Sequence, residues 1–438
     1  MKKLMILGAM EMHVPLIKRA KELGIYTITC DFIPENPGHK IADEAYFDST
    51  TDLDAVLALA KRLGVDGIMT YNSDPAAPTA AYVAEKLGLP GNPYSAVKIM
   101  SEKHLFRKFL RENGLNAPRF ENCADACDAG LHVGEFEFPL IVKPVDSSGS
   151  KGCTVVCERE SLMAAAEAAL EKSRSGKFIV EEYIEPLGRQ LHGDGFVENG
   201  VVTFLFLGDH HFDGKLNNLV PYSTTYPTEH SAETVEQCKE QIQSFVSKVG
   251  FRNGGFNVEL RISKKDGKAY IIDIGARNGG NFTPKVIQYG SGFNFMDRAL
   301  KVALGESLRD VPTAGKMSNF VSYLILHSAR SGVLNNLTIS NEIERRVVER
   351  HIYLKPGDRV ESFLGANAAI GVLLMKYESR EKMNEIVDNF SDLYNVELKE
   401  DLMDSLDMNA NQNLHGGGKG LVVDFLPYLH GHYERRCA

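Results

Sequence analysis

The chain has 438 residues, 43% of them hydrophobic and 24% charged, a size that allows about two to four domains and excludes a small disulfide-stapled fold. Forty-nine Lys and Arg against 58 Asp and Glu give a net charge of −9, so no general basic field for nucleic acid or an anionic membrane exists and any phosphate site must be local. Seven cysteines are too few for a disulfide framework, and Cys123/Cys127 and Cys153/Cys157 lack the CxxC spacing of zinc or redox motifs, which points to a reducing, cytoplasmic setting.

No run reaches the roughly 18 apolar residues that span a bilayer. The opening MKKLMILGAM imitates a signal peptide, but it runs into Glu11, His13 and Pro15 and reads as a buried first strand. Next come a helix over 14–23 stopped by Gly24, the strand YTITCD, a Pro/Gly loop, the segment AYF, a helix over 52–63, the strand DGIMT and a helix over 77–87 closed by Gly88. Strands alternating with helices predict a parallel, doubly wound sheet over residues 1–92. The stretch LPGNP (89–93) is the natural boundary. Beyond one further helix, residues 136–310 read as strands joined by glycine-rich turns. Strands follow at 316–326 and 367–376, and a helix near 380–395 comes last. The expected division is 1–92, 93–311 with a lid over about 117–184, 312–407, and a tail over 408–438.

The N-terminal unit is a poor dinucleotide site. A Rossmann turn needs GxGxxG, whereas this one reads GAMEMH with Gly8 alone, leaving Asp31 a weak ribose candidate. The stronger signal is FPLIVKPVDSSGSKGCTVV (138–156), a strand delivering Lys143, a Ser/Gly turn and a second strand. Small residues there let backbone N–H groups face phosphate oxygens, while Lys143 and Lys151 supply charge. Alone, such a turn is an ordinary hairpin. It is accompanied by FIVEEYIEP (178–186) and by GGFNVELRI and AYIIDIGARNGGN, two strands that bury Glu259 and Asp273 in apolar runs. An ionised carboxylate is costly there unless it is paired or holds a metal, and magnesium with nucleotide phosphates suits two such acids. Arg277, four residues beyond Asp273, can neutralise charge on a transferring phosphoryl group.

This ordered set resembles the ATP-grasp superfamily of carboxylate–amine ligases over about residues 1–400. The resemblance implies a pre-ATP-grasp domain, an ATP-grasp domain with a mobile lid and a small C-terminal lobe, in a mixed α/β and α+β architecture. It implies ATP and Mg2+, with Mn2+ able to substitute, as cofactors. Lys103 in SEKHLFRKFL, Lys143 and the lid loop Ser147, Ser148, Gly149, Ser150, Lys151 and Gly152 would meet the phosphates. Glu181, Glu182, Tyr183 and Ile184 would form the adenine hinge, Gln190 would fall where an acid commonly grips the ribose, Glu259 and Asp273 would bridge metal, and Arg277 with Lys143 would be catalytic. Two departures stand out. The usual second motif is Glu-x-Asn-x-Arg, but this chain has Gly275 between Asp273 and Arg277, so Asn257 or Asn278 takes the missing role or one metal is held less tightly. Gln190 carries no charge.

The resemblance implies phosphorylation of a small carboxylate to an acyl phosphate that an amine then attacks, releasing ADP and phosphate. The alternatives are a bicarbonate-activating enzyme of the carboxylase or carbamoyl-phosphate synthase kind and an ATP-binding module without turnover. Substrate choice is expected in the segment 208–227, a polar stretch between two better-defined elements that reads as a recognition loop, with His210, His211, Lys215 and Tyr222 as candidates beside Asn278. The loops GAMEMH (8–13) and NSDPAAP (72–78) are expected to complete the pocket. Small molecules are the expected partners, nucleic acid and membrane are not, and a homodimer is left open. The tail, with HGGGKG and His415, His430 and His432, reads as a docking tail, a dimer arm or an appended remnant, its histidines solvated rather than metal-binding.

Overall fold

The computed structural model describes residues 1–127, 133–134, 136–147, 149–312 and 318–399. Ser148 and the tail therefore lie outside the described residues.

The N-terminal run of buried apolar residues forms β1 (Lys3–Leu7), followed by α1 (Val14–Glu22), β2 (Tyr26–Cys30), β3 (Glu44–Tyr46), α2 (Leu53–Leu63), β4 (Gly67–Met69) and α3 (Ala77–Leu87). The four strands are parallel in the order β3-β2-β1-β4. Helix limits follow local chemistry. Asp52 caps α2 by accepting from the Ala55 N–H, and Gly64 and Gly88 end α2 and α3 in the left-handed conformation that glycine adopts without strain. This is the doubly wound sheet expected from the alternating pattern.

After LPGNP come α4 (Tyr94–Ser101) and α5 (Lys103–Glu112), then β5 (Phe120–Cys123), β6 (Leu140–Pro144), β7 (Thr154–Val156), α6 (Leu162–Lys172) and β8 (Phe178–Glu182). These strands make a small antiparallel sheet, β5-β8-β6-β7, with its own apolar core around Leu140, Val142, Phe178 and Val180. The central sheet is built from β9 (Leu191–Glu198), β10 (Val201–Asp213), β11 (Asn217–Tyr226), α7 (Ala232–Val249), β12 (Gly254–Ile262), β13 (Ala269–Gly275), α8 (Thr283–Ser291), α9 (Phe295–Ala303) and β14 (Phe320–Leu326). Then follow β15 (Gly332–Ile339), α10 (Asn341–Glu344), β16 (Val347–Ile352), β17 (Arg359–Val360), β18 (Gly371–Tyr377), α11 (Arg380–Asp388) and β19 (Tyr394–Lys399). Eight strands run β13-β12-β9-β10-β11-β14-β18-β16, while β17-β15-β19 form a separate three-stranded sheet.

Two expectations are corrected. Residues 136–310 are not only strands and turns but also hold, among the described residues, four α-helices, the longest being α7, capped by Ser231 accepting from the Thr234 N–H. Its periodic face, Cys238, Ile242, Phe245 and Val246, packs into the main core. The segment 208–227 is not a loop. It is mostly the long hairpin β10–β11, whose β-branched and aromatic residues suit a pleated sheet.

Candidate active site

A cavity of about 450 Å³ lies where the small antiparallel sheet, the central sheet and the end of the parallel sheet meet. Its chemistry begins with strand register. Glu259 on β12 stands directly opposite Asp273 on β13, which puts both carboxylates on one face of the sheet. Burial first, and then the charge of Asp273, pushes the Glu259 carboxyl up to about 7. Among the described residues neither acid pairs with a lysine or arginine side chain. The neighbours of Glu259 are the Gln190 amide, which donates to it at 2.9 Å, and the neutral His210, 4.0 Å away. Two hard oxygen ligands short of positive charge fit a divalent cation completed by phosphate oxygens. No group of three or more His, Cys, Asp and Glu among the described residues is arranged to hold a metal, so the chain offers this pair.

The cations come from other elements. Lys103 opens α5 and donates to the Ser147 carbonyl at 2.7 Å. Burial opposes its charge, but Asp273, Asp74 and Glu181 outweigh burial and raise its affinity for the proton. One turn later on the same face, Arg107 reaches the buried Glu181, its Nε donating at 2.8 Å, and Lys143 Nζ donates to the other oxygen of Glu181 at 2.8 Å. The β8 hinge is braced from β12. Arg261 lies over the Tyr183 ring, donates to the Ile184 carbonyl at 3.1 Å and donates to the Gln190 Oε1 at 2.7 Å. Arg261 was not anticipated, although its place two residues after Glu259 on an alternating strand puts both on one face.

Arg277 is fixed from two sides. Its Nε donates to Asp74 Oδ1 at 2.6 Å, its second terminal nitrogen donates to the other oxygen of Asp74, and the first donates to the Asn278 carbonyl at 3.0 Å. Asp194, buried in β9, holds the following turn by accepting from the Gly279 N–H and the Asn278 amide. Burial is the main cause that raises the Asp194 carboxyl to about 6. The far wall of the cavity carries His192 and His210, stacked with ring centroids 4.3 Å apart. Burial and the Arg277 charge push His192 down to about 3, and burial with His192 and His211 holds His210 far below its usual value, so both rings are neutral.

Of the residues expected at a site, Lys103, Lys143, Ser147, Gly149, Ser150, Glu181, Glu182, Tyr183, Ile184, Gln190, His210, Glu259, Asp273 and Arg277 line this one cavity. Met10 and Met12 from GAMEMH and Asn72–Pro75 from the loop after β4 line it too. Others lie elsewhere. Lys151 is exposed and Gly152 packs near Pro144 and Lys172. His211 points to the opposite face of β10 from His210, against Arg189 and Thr225, because alternate strand residues face opposite sides. Lys215 sits at the hairpin tip, and Tyr222 stacks on Phe390 with its hydroxyl donating to the Val387 carbonyl. Asn278 is buried behind the cavity, where it holds Asp194. Gln190 is engaged between Glu259 and Arg261. His192, Arg107, Arg261 and Asp194 stand at or behind the cavity without having been singled out in the sequence, and Asp74 was expected only as part of the loop 72–78.

The parallel-sheet unit, the small antiparallel sheet and the central sheet enclose a paired-acid cavity beside two lysines and two arginines. Residues 136–285 match the family model of the ATP-grasp domain. The chain is 27% identical over 421 residues to the formate-dependent phosphoribosylglycinamide formyltransferase of Methanocaldococcus jannaschii, covering 90% of this chain and 97% of that one. It is 22% identical over 307 residues to the carbamoyl phosphate synthase large chain of Clostridium botulinum, covering 68% of this chain and 28% of that relative. It likewise spans 48% of the formate-dependent phosphoribosylglycinamide formyltransferase of Prochlorococcus marinus. Among solved structures, the L-amino acid ligase of Bacillus licheniformis shares the fold with a TM-score of 0.78 and 23% identity, over 91% of this chain and 99% of that one. The biotin carboxylase domain of the Hydrogenobacter thermophilus 2-oxoglutarate carboxylase, bound to MgADP and bicarbonate, shares it with a TM-score of 0.70 and 18% identity over 91% of each chain. No helix among the described residues is long and apolar enough to cross a membrane.

Proposed function

We propose that this protein is an ATP-dependent ligase that phosphorylates a small carboxylate and couples the resulting acyl phosphate to an amine, releasing ADP and phosphate. The observation that carries this reading is Glu259 facing Asp273 in a cavity that also holds Lys103, Lys143 and Arg277. A protein that only bound nucleotide would not need charges at the end of the phosphate chain.

Adenine would rest on the hinge Glu182–Ile184, and Lys103 and Lys143 would draw the triphosphate toward the paired acids. Mg2+, or Mn2+ in its place, would be held by Glu259 and Asp273 and neutralises phosphate charge when bound. A carboxylate oxygen of the substrate attacks the terminal phosphorus, and the bond to ADP breaks. The amine then attacks the acyl carbon, phosphate leaves with the bonding electrons, and the amine proton passes to solvent. Arg277 stabilises the phosphoryl oxygens and the tetrahedral species. Water must be kept out, because it hydrolyses an acyl phosphate. The lid loop already contacts the opposite wall, where the Ser150 hydroxyl donates to the Leu219 carbonyl at 2.7 Å.

A second reading makes bicarbonate the activated acid. The neighbouring structure bound to MgADP and bicarbonate and the carbamoyl phosphate synthase relatives favour it. ADP and phosphate release from Mg-ATP, screened over amino acids, other small carboxylates and bicarbonate, each with and without an amine, separates the readings. Release that needs one acid and one amine supports the ligase. Release with bicarbonate alone supports the second reading, and tight nucleotide binding with no release under any condition contradicts both.

A further inference from the structure

The two walls of the cavity differ in charge. Among the described residues, every Lys or Arg side chain lining it, Lys103, Lys143, Arg261 and Arg277, belongs to the part of the chain beyond residue 93, whereas the wall built from the parallel sheet has none and presents Asn72, Ser73 and Asp74. Asn72 spends its Nδ2 on the Gly279 carbonyl at 2.6 Å, which fastens the loop to the turn after Arg277 and leaves its Oδ1 buried without a hydrogen-bond partner among the described residues. This wall is a surface of acceptors.

Asp74 and Arg277 pair across the two walls, yet neither is used up. Arg277 commits three of its five N–H groups, to Asp74 and the Asn278 carbonyl, and Asp74 accepts two bonds where a carboxylate has about four acceptor positions. The Asp74 side chain remains 33% exposed, so a ligand in the cavity can reach it. The glycine at 275 belongs to the same arrangement. A Cβ there would lie 2.8 Å from Asp74 Oδ1 and 3.3 Å from Arg277 Nε, so any side chain would push the pair apart.

Resting on the ligase reading, we propose that Asp74 is the ammonium-binding group of the acyl-transfer site, so that one substrate enters carrying a protonated amine. Its ammonium group sits on Asp74 while the carboxylate or acyl phosphate takes the free N–H groups of Arg277. A neutral acid–guanidinium pair matches a substrate bearing both charges, and it attracts a simple monoanion less than a lone arginine does. The amine has two sources, the α-ammonium of an amino acid being activated, or the incoming nucleophile, which binds as the ammonium and gives a proton to solvent before its lone pair attacks.

The test compares wild type with Asp74→Asn and, as a charge-retaining check, Asp74→Glu. In the acid arm, L-amino acids are set against their des-amino counterparts, with neutral hydroxylamine as acceptor. In the amine arm, the best acid is offered glycinamide or hydroxylamine. The expected result is that Asp74→Asn raises KM for the ammonium-bearing partner in one arm by about 10-fold or more, as loss of a half-buried charged partner does. KM for ATP stays within about threefold, the uncharged partner loses only what a loosened Arg277 costs both partners alike, and Asp74→Glu restores part of the loss specific to the ammonium-bearing partner. Equal losses for charged and uncharged partners would overturn the proposal and make Asp74 an anchor of Arg277. A wild type that uses des-amino acids and hydroxylamine as well as their ammonium-bearing counterparts also overturns it, while leaving the ligase intact. No ADP release with any acid removes the ligase reading and this inference with it.

Discussion

Glu181 and Glu259 are two glutamates on neighbouring walls of one cavity, and they are charged on opposite terms. Burial alone would raise the carboxyl of Glu181, but Arg107 and Lys143 bond to it directly and hold it down to about 2. Glu259 has no such partner, and burial with Asp273 pushes it up to about 7. The first is a finished ion cluster that ties α5, β6 and β8 together. The second is unfinished, which is what a site awaiting a cation requires.

The sharpest way to break this contrast is to neutralise each acid. Glu181→Gln strands two buried cations and should lower stability by about 3–5 kcal/mol, read from denaturant unfolding. A loss below about 1 kcal/mol would mean the cluster is not structural. Glu259→Gln should instead raise the stability of the metal-free protein above about pH 7, because it removes a buried carboxylate whose charge the fold disfavours, yet cut ADP release by about 100-fold or more, with nucleotide binding within about threefold by fluorescence titration. Unchanged turnover would remove Glu259 from the metal site.

The pH dependence follows from the same pair. A carboxyl whose folded value lies above its unfolded value of 4.5 holds its proton longer in the folded state. The metal-free protein therefore loses stability from Glu259 as pH rises from about 4.5 to about 7. A divalent cation needs the ionised form, so the Mg2+-induced rise in Tm with ADP present should grow between pH 5.5 and 8. A rise that is flat over that interval would contradict the assignment. Gly275→Ala, which forces a Cβ against Asp74, should cost about 1–3 kcal/mol and weaken turnover through Arg277. Smallest of all, Lys215→Ala at the hairpin tip should change kcat/KM by less than about twofold, because surface changes away from a site usually have small effects.

The parallel sheet, strands β6 and β8 of the small antiparallel sheet and the two buried acids were legible because each rests on local signals: apolar periodicity, glycine stops, and charges inside apolar strands. Register did the rest for Glu259 and Asp273, which share a face because their strands are adjacent and antiparallel. What could not be read depends on distant packing. Asp74 lies 203 residues from Arg277, and nothing in NSDPAAP states that its acid meets that guanidinium. Arg107 and Arg261 looked like ordinary members of an amphipathic helix and an alternating strand until the hinge was folded against them. His211 and Tyr222 lie away from the cavity for the opposite reason. A segment rich in polar residues reads as a loop, but it forms the β10–β11 hairpin, in which half of the side chains face away from the cavity.

The most direct test of the central claim follows the oxygen. Once an acid supports ADP release, that acid is supplied with 18O in its carboxyl group, together with Mg-ATP and the amine, and the released phosphate is analysed by mass. An acyl phosphate predicts one 18O in the phosphate for each product formed. Phosphate free of label, or label recovered in AMP, would contradict it.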